Sequence, residues 1–195
     1  MNTNTLLKEL VPVTARGTAT RRKLLASAEI EFGTRGFPGA SVSSITQRAD
    51  VGQGTFYLYF HSKEEVFATL VRDIGAEQCR QLEAEAAARE STADAERRVA
   101  SQLIDFVAQE PGRHRIISEA QFVDEPVFRE TREKLLACIA AQVRPTTRAA
   151  RNSEGLLRAA TLLGASQQIG LTHCQWSRQP PSKALVDAVI AMAAH

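Results

Sequence analysis

Between positions 53 and 63 stand Gln53, Thr55, Tyr57, Tyr59, His61 and Lys63, every one of them able to donate a hydrogen bond. An amide, a hydroxyl, two phenols, an imidazole and an ammonium at such close spacing suit phosphate oxygens and base edges, the chemistry of a nucleic-acid surface. Gly54 sits among them, where a backbone without a side chain can approach a phosphodiester closely. Thr55 offers a hydroxyl to phosphate and a methyl to the methyl group of thymine. Lys63 would add its charge to the free N–H groups that open a helix, a ready anion site. Singly these residues are ordinary: Gly-x-Gly is most often loop, without a third glycine it is no dinucleotide fingerprint, and Tyr-x-Tyr most often packs. Their joint spacing carries the argument.

The elements that must position them are legible nearby. Leu24, Leu25, Ala28 and Phe32 form one apolar stripe, with Ile30 beside it, on a helix predicted from Thr18 and ended by Gly33, Gly36 and the Phe37-Pro38-Gly39 cluster. Ser41 is a suitable N-cap for a helix over 42–49, with Val42, Ile45 and Ala49 on one face. Asp50 occupies the following turn and tolerates left-handed backbone. Gly52 caps the next helix, less well than serine would, and Phe56 and Phe60 face inward at i and i+4. Ser62-Lys63-Glu64-Glu65 reads as a capping box, with two carboxylates at the positive end of a fourth helix.

At this point the chain resembles the TetR family of transcriptional regulators. The resemblance runs from about Arg21 to Leu70 and rests on LLASAEIEFGTRGF (24–37), SVSSITQRADVGQGTFYLYF (41–60) and HSKEEVF (61–67). It implies a helix-turn-helix whose backbone-positioning contacts come from Ser41, Ser43, Gly54, Thr55, Tyr57, Tyr59, His61 and Lys63. Gln53 becomes the base reader, suited to adenine. It also implies a homodimer on a palindrome-like double-stranded DNA operator and a small-molecule effector, most simply a repressor released by its ligand. Three positions depart from the family pattern. Asp50 stands where glycine is common, Gly52 where serine or asparagine caps the helix, and Thr46 where alanine is usual. The first two predict a looser recognition helix and modest affinity; Thr46 adds a hydroxyl for a polar contact. Arg16, Arg21 and Arg22, placed before the first helix, either reach phosphate or form a solvated arm.

Composition agrees with such a protein. The 195 residues carry a net charge of only +2, distributed as +4 over residues 1–63 and −2 over the remainder. That balance disfavours a sequence-independent DNA coat, which needs many phosphate neutralisations. No apolar run approaches the roughly 20 residues of a membrane span, and the start has no signal-peptide pattern, so a cytoplasmic protein is expected. Cys79, Cys138 and Cys174 lie far apart, match no disulfide or zinc framework, and read as small buried apolar residues. His173-Cys174 lacks a matching ligand cluster, so neither metal nor cofactor is expected. No nucleophile–base pattern, P-loop or HExxH motif indicates an enzyme.

The fold expected is all-α: a tail over 1–17, a three-helix DNA-binding domain over 18–62, and a helical ligand-binding and dimerisation domain over 63–195. Its further helices are predicted near 63–89, 92–109, 113–123, 126–143, 153–177 and 182–194, separated by Ser91-Thr92, Pro111-Gly112, Glu125-Pro126, Pro145 and Pro180-Pro181. The small-residue stretch 156–171 and the apolar stretch 184–194 are the expected dimer interface. For the effector pocket the candidates are Phe67, Phe106, Ile117, Phe122 and Trp176, with Ile74, Phe128 and Leu135 beside them. Gln121, Gln167, Gln168 and His173 are the polar anchors. About a third of these should line a cavity, the rest being core.

Overall fold

The computed structural model describes residues 14–86, 91–143 and 154–193, and among these every regular element is helical. In chain order they are α1 (Ala15–Gly39), α2 (Val42–Ala49), α3 (Gln53–Phe56), α4 (Lys63–Ala84), α5 (Thr92–Gln109), α6 (Pro111–Val123), α7 (Glu125–Gln142), α8 (Glu154–Ile169) and α9 (Lys183–Ala193). No described helix is long and apolar enough to cross a membrane.

The first helix differs from expectation at both ends. Thr14 is its N-cap, its Oγ1 accepting from the Gly17 N–H at 3.1 Å, so residues 15–17 are helix and not tail; residues 1–13 lie outside the described part. Gly33 does not stop α1. The break comes at Gly36, whose φ of 74° is backbone that glycine adopts without a steric penalty.

Two apolar cores hold the chain together. The first gathers Leu24 and Phe32 of α1, Ile45 of α2, Phe56 and Phe60, Phe67 of α4 and Ile116 of α6. Within it the ring of Phe67 meets Phe32 and Phe37 edge-on, with centroids 5.2 and 4.9 Å away. Such pairs add about 0.5–1.5 kcal/mol each beyond area burial. The second core joins the far end of α4 (Leu82) to α5, α7, α8 and α9. Helices α4 and α7 contribute to both, so the helix-turn-helix and the body are packed as continuous structure.

Helix α8 continues as seven residues of wider π-helical winding, Gly170–Trp176, where the spacing predicts ordinary helix. Here Gly170 lies so close to α5 that a Cβ would stand 2.8 Å from the Cβ of Val107, and Gln175 Nε2 donates to the Val107 carbonyl at 2.8 Å. Cys138 is buried, while Cys79 and Cys174 are half-buried; all three are free thiols. Burial, reinforced by the neighbouring Cys138, pushes the Cys79 thiol up to about 12, as befits a packing residue and not a nucleophile.

Candidate nucleic-acid interface

Four residues of true helix make up α3, far below the ~12–15 that an isolated helix needs in water. Tertiary anchoring holds it instead. Phe56 and Phe60 are fully buried, as their i, i+4 spacing predicts, and the N–H groups of Tyr59 and Phe60 both return to the Phe56 carbonyl. Asp50 adopts the left-handed conformation expected of it (φ 52°, ψ 51°) and sets the angle between α2 and α3. Gly52 gives α3 no side-chain cap, and its carbonyl accepts from Thr55 N–H at 2.9 Å.

This anchoring turns one set of side chains outward. Ser41, Ser43, Gln53, Gly54, Tyr57 and His61 are exposed, while Thr55 and Tyr59 are half-buried and Tyr59 packs against the first core. Tyr57 keeps 53% of its surface exposed while its ring rests edge-on against Phe56. A Cβ built on Gly54 would meet no atom within 4 Å, so that position opens directly to the surroundings. Ser41 forms a reciprocal capping box with Ser44; its Oγ accepts from Ser44 N–H at 3.0 Å, which leaves the hydroxyl proton for an outside acceptor.

Several positions behave differently from expectation. Lys63 is turned inward: its Nζ donates to the carbonyls of Phe37 (2.9 Å) and Ala40 (3.0 Å) and lies 4.0 Å from the centre of the Phe37 ring. Carbonyls ending a helix carry partial negative charge, so this ammonium closes α1 as it opens α4. One of its three protons remains for another acceptor. Thr46 is buried and spends its hydroxyl on the Val42 carbonyl of its own helix. Arg21 is half-buried with its guanidinium 4.9 Å from the Phe60 ring, and Arg16 and Arg22 lie on α1 itself, exposed. The capping box at α4 is also shifted, since Glu65 N–H reaches Ser62 Oγ while the Glu65 carboxylate accepts from His61 N–H.

Glu31 goes unremarked in the sequence, although its place among Leu24, Ala28 and Phe32 is itself a signal. Only 2% exposed, it receives Arg48 Nε at 2.7 Å and Arg35 at 3.4 Å, binding α2 to α1. Burial opposes its ionisation, but hydrogen bonds from Arg48 and Ser44 and the two arginine charges outweigh it and hold the carboxyl below its ordinary range.

A second unforeseen constellation fastens α6 to α1. Arg113 meets Glu29 at 2.7 Å, Arg115 donates to the Thr34 carbonyl at 2.9 Å, and Glu119 accepts from Phe37 N–H at 2.6 Å. Gly33 and Gly112 touch backbone to backbone, a Cβ on Gly33 falling 2.9 Å from Gly112 Cα. Phe37 is thus held by α6 at its N–H and by α4 at its carbonyl.

Residues 24–70, which contain this surface and its supports, match the family of bacterial regulatory proteins called tetR. Over these residues the chain carries a TetR-family regulatory domain. It is 48% identical over 59 residues to the HTH-type transcriptional regulator YdgC of Bacillus subtilis (strain 168), a stretch that spans 30% of each protein. Its fold is similar over most of its length to solved structures of low identity. The fatty acid degradation regulator FadR of Bacillus halodurans superposes with a TM-score of 0.73 at 16% identity, covering 89% of this chain and 94% of that one. FadR of Bacillus subtilis, in complex with stearoyl-CoA, gives 0.73 at 16%, covering 88% and 96%. A regulator from Rhodococcus sp. Rha1 gives 0.70 at 22%, covering 89% and 94%.

The residues singled out for an effector pocket are scattered. Ile117 and Gln121 line an opening of about 340 Å³ between α6, α7 and α8, together with Phe128 and Gln167. Phe106 and Ile74 line a polar cleft between α4 and α5. Leu135 lines a narrow apolar slot beneath the α6–α7–α8 opening, and His173 is half-buried in the π-helical segment. Phe67 belongs instead to the aromatic centre of the first core. Phe122 at the end of α6 is 85% exposed, Trp176 is 69% exposed and Gln168 is exposed on α8. Residue type alone cannot separate these cases, because a helix's buried and exposed faces are fixed by which neighbours it meets.

His114 of α6 is buried, and desolvation draws its pKa below the ordinary 6.5. The unfolded chain therefore binds a proton that the folded chain refuses, so stability is full above about pH 6.5 and falls as pH drops below it. Thermal unfolding between pH 7.5 and 5.5 should show a declining Tm that His114→Asn removes; each kcal/mol moves Tm by roughly 2–4 °C at this size. A wild-type Tm that stays level across the interval would contradict the assignment.

Proposed function

We propose that this protein is a sequence-specific, DNA-binding transcriptional regulator, and that it acts in the cytoplasm as a homodimeric repressor released from its operator by a small molecule. The observation that carries the reading is the exposed set Ser41, Ser43, Gln53, Gly54, Tyr57 and His61, the α3 members of which are anchored by the buried Phe56 and Phe60. Thr55, Tyr59 and the remaining proton of Lys63 complete the grip on phosphate, and Gln53 reads a base. Residues up to 62 are the reading head; the division from the body is one of role and not of packing.

Dimerisation finds support on α8 and α9. Leu157, Ala160, Thr161, Gly164 and Gln168 fall on one face of α8, with Leu157 69% exposed and open space around Gly164. On α9, Ala184, Ala188 and Ala191 form an exposed stripe. Small residues at the centre of such faces let two helices approach closely. A helix of four residues reads few bases, and pairing two of them on successive major grooves supplies the missing specificity.

For release, α6 is the connecting part. Its Ile117, Ser118 and Gln121 face the opening between α6, α7 and α8, and its Gly112, Arg113, Arg115 and Glu119 hold α1. A ligand that displaces Ile117 therefore moves the group that holds Phe37. The stearoyl-CoA complex of Bacillus subtilis FadR supports the idea that this fold accommodates a small-molecule effector.

The test is selection of bound duplexes from a random pool, which should yield a palindrome-like site; recovery without consensus would sink the specific reading. On the selected site, Gln53→Ala should relax preference at one base pair by about 1–3 kcal/mol. Equal weakening at all sequences would remove Gln53 as the reader.

A further inference from the structure

Two half-buried arginines elsewhere in the described residues meet carboxylates, Arg113 on Glu29 and Arg158 on Glu96, but Arg132 of α7 does not. Half-buried, it has no acidic partner among the described residues; its Nη1 donates to Gln167 Oε1 at 3.2 Å, and its guanidinium lies 5.9 Å from the Phe128 ring. Desolvation draws its pKa down, with no acid acting to offset it. An uncompensated charge in such a place is costly unless something supplies the counter-charge.

Its surroundings say what that counter-charge would be attached to. Arg132, Gln167, Ile117 and Phe128 border the opening of about 340 Å³ between α6, α7 and α8. The same four residues border the slot of about 10 Å³ that continues inward to Val71 of α4 and Leu135 of α7. Thr131, only 8% exposed, also lines this slot, and its Oγ1 has no hydrogen-bond partner. A polar mouth with one cation thus leads to a closed, mainly apolar seam between helices. By contrast, a groove of about 670 Å³ along α1 and α6 has its main cation, Arg113, already paired with Glu29.

We infer that this seam is the effector seat and that it takes an apolar monocarboxylate, the carboxylate on Arg132 and Gln167 and the tail wedged past Ile117 and Phe128 toward Val71 and Leu135. The inference deepens the effector half of the function proposed above and rests on it. A guanidinium engages a carboxylate through two parallel N–H donors, which Arg132 retains in addition to its bond to Gln167. A single cation matches a single negative charge; a thioester of a polyphosphate carrier would bring several charges to a mouth with one. Entry of the tail must open the seam between α6 and α4, and α6 is the helix fastened to α1.

Calorimetry on the full chain without DNA tests this directly, using decanoate, 1-decanol, methyl decanoate and decanoyl-CoA below their micellar concentrations. Decanoate should bind once per chain and about tenfold or more tighter than the two neutral analogues, and tighter than the thioester. Arg132→Gln should bring the acid down to the alcohol, while Arg132→Lys, which keeps the charge, should retain part of the preference. Equal binding of acid and alcohol by the wild type, tighter binding of the thioester, or an acid preference that survives Arg132→Gln would each overturn the assignment. Should Arg132→Gln not fold, the wild-type comparison and Arg132→Lys still decide it. A separate arm adds decanoate to the protein on its selected duplex: binding without release would refute ligand-induced release while leaving the seat assigned.

Discussion

Leu157→Glu should convert the protein to a 21.3 kDa species in sedimentation at micromolar concentration and cost it most of its operator affinity. Leu157 is 69% exposed in the single chain, so the charge meets water there and the folded protomer loses little. In a dimer built on the α8 face the same charge would be buried without a partner, facing its own copy across the axis. Losing the second reading head removes a local concentration that multiplies affinity by roughly 10²–10⁴-fold. Circular dichroism should show unchanged helix content, which separates loss of assembly from loss of fold. A Leu157→Glu protein that still sediments as a dimer and binds its site undiminished would place the interface elsewhere.

Gly54→Ala should do the opposite: leave assembly intact and break the grip on DNA. Among the described residues, nothing beyond its own turn of chain lies within 4 Å of a Cβ at this position. Its backbone is helical and needs no positive φ, so alanine should hold or slightly raise stability, by up to about 1 kcal/mol through a less flexible unfolded chain, which thermal unfolding would read as a level or higher Tm. The methyl would instead stand between backbone N–H groups and the phosphodiester. Each hydrogen bond to a charged acceptor lost in this way costs about 1.5–3 kcal/mol, or roughly 10- to 150-fold in affinity. The loss should be the same for every sequence in the selected pool, because phosphate contacts carry no base information. An alanine variant with wild-type affinity would show that the backbone at Gly54 does not approach DNA.

How far these features could be read beforehand depends on whether local chemistry fixed them. Asp50 in the left-handed turn, Ser41 and Ser62 as caps, and Phe56 with Phe60 as inward anchors are all local, and the structure has them as the residue types predict. The all-α architecture followed from helical periodicity and proline punctuation in the same way. What escaped was long-range. Lys63 looks like a surface cation until α1 arrives with two carbonyls from residues 37 and 40. Glu31 and Arg48 are seventeen positions apart, Glu29 and Arg113 eighty-four. Arg132 is distinguished only by the carboxylate that no neighbour supplies. The recognition helix also came out shorter than its pattern, since Tyr57 to Tyr59 turn while keeping the inward aromatic spacing.

The meeting of Gly33 with Gly112 bears on how any signal crosses the molecule. Most helix pairs touch through side chains, which absorb a small displacement by changing rotamer before the partner feels it. At this crossing there is no rotamer to change, because main chain rests on main chain. Motion of α6 toward α1 meets a hard stop, and the Arg113–Glu29 ion pair with the hydrogen bonds of Arg115 and Glu119 resists motion away. The joint therefore behaves as a bearing without play, and even a fraction of an ångström at the foot of α6 arrives undiminished at the helix that carries the reading head.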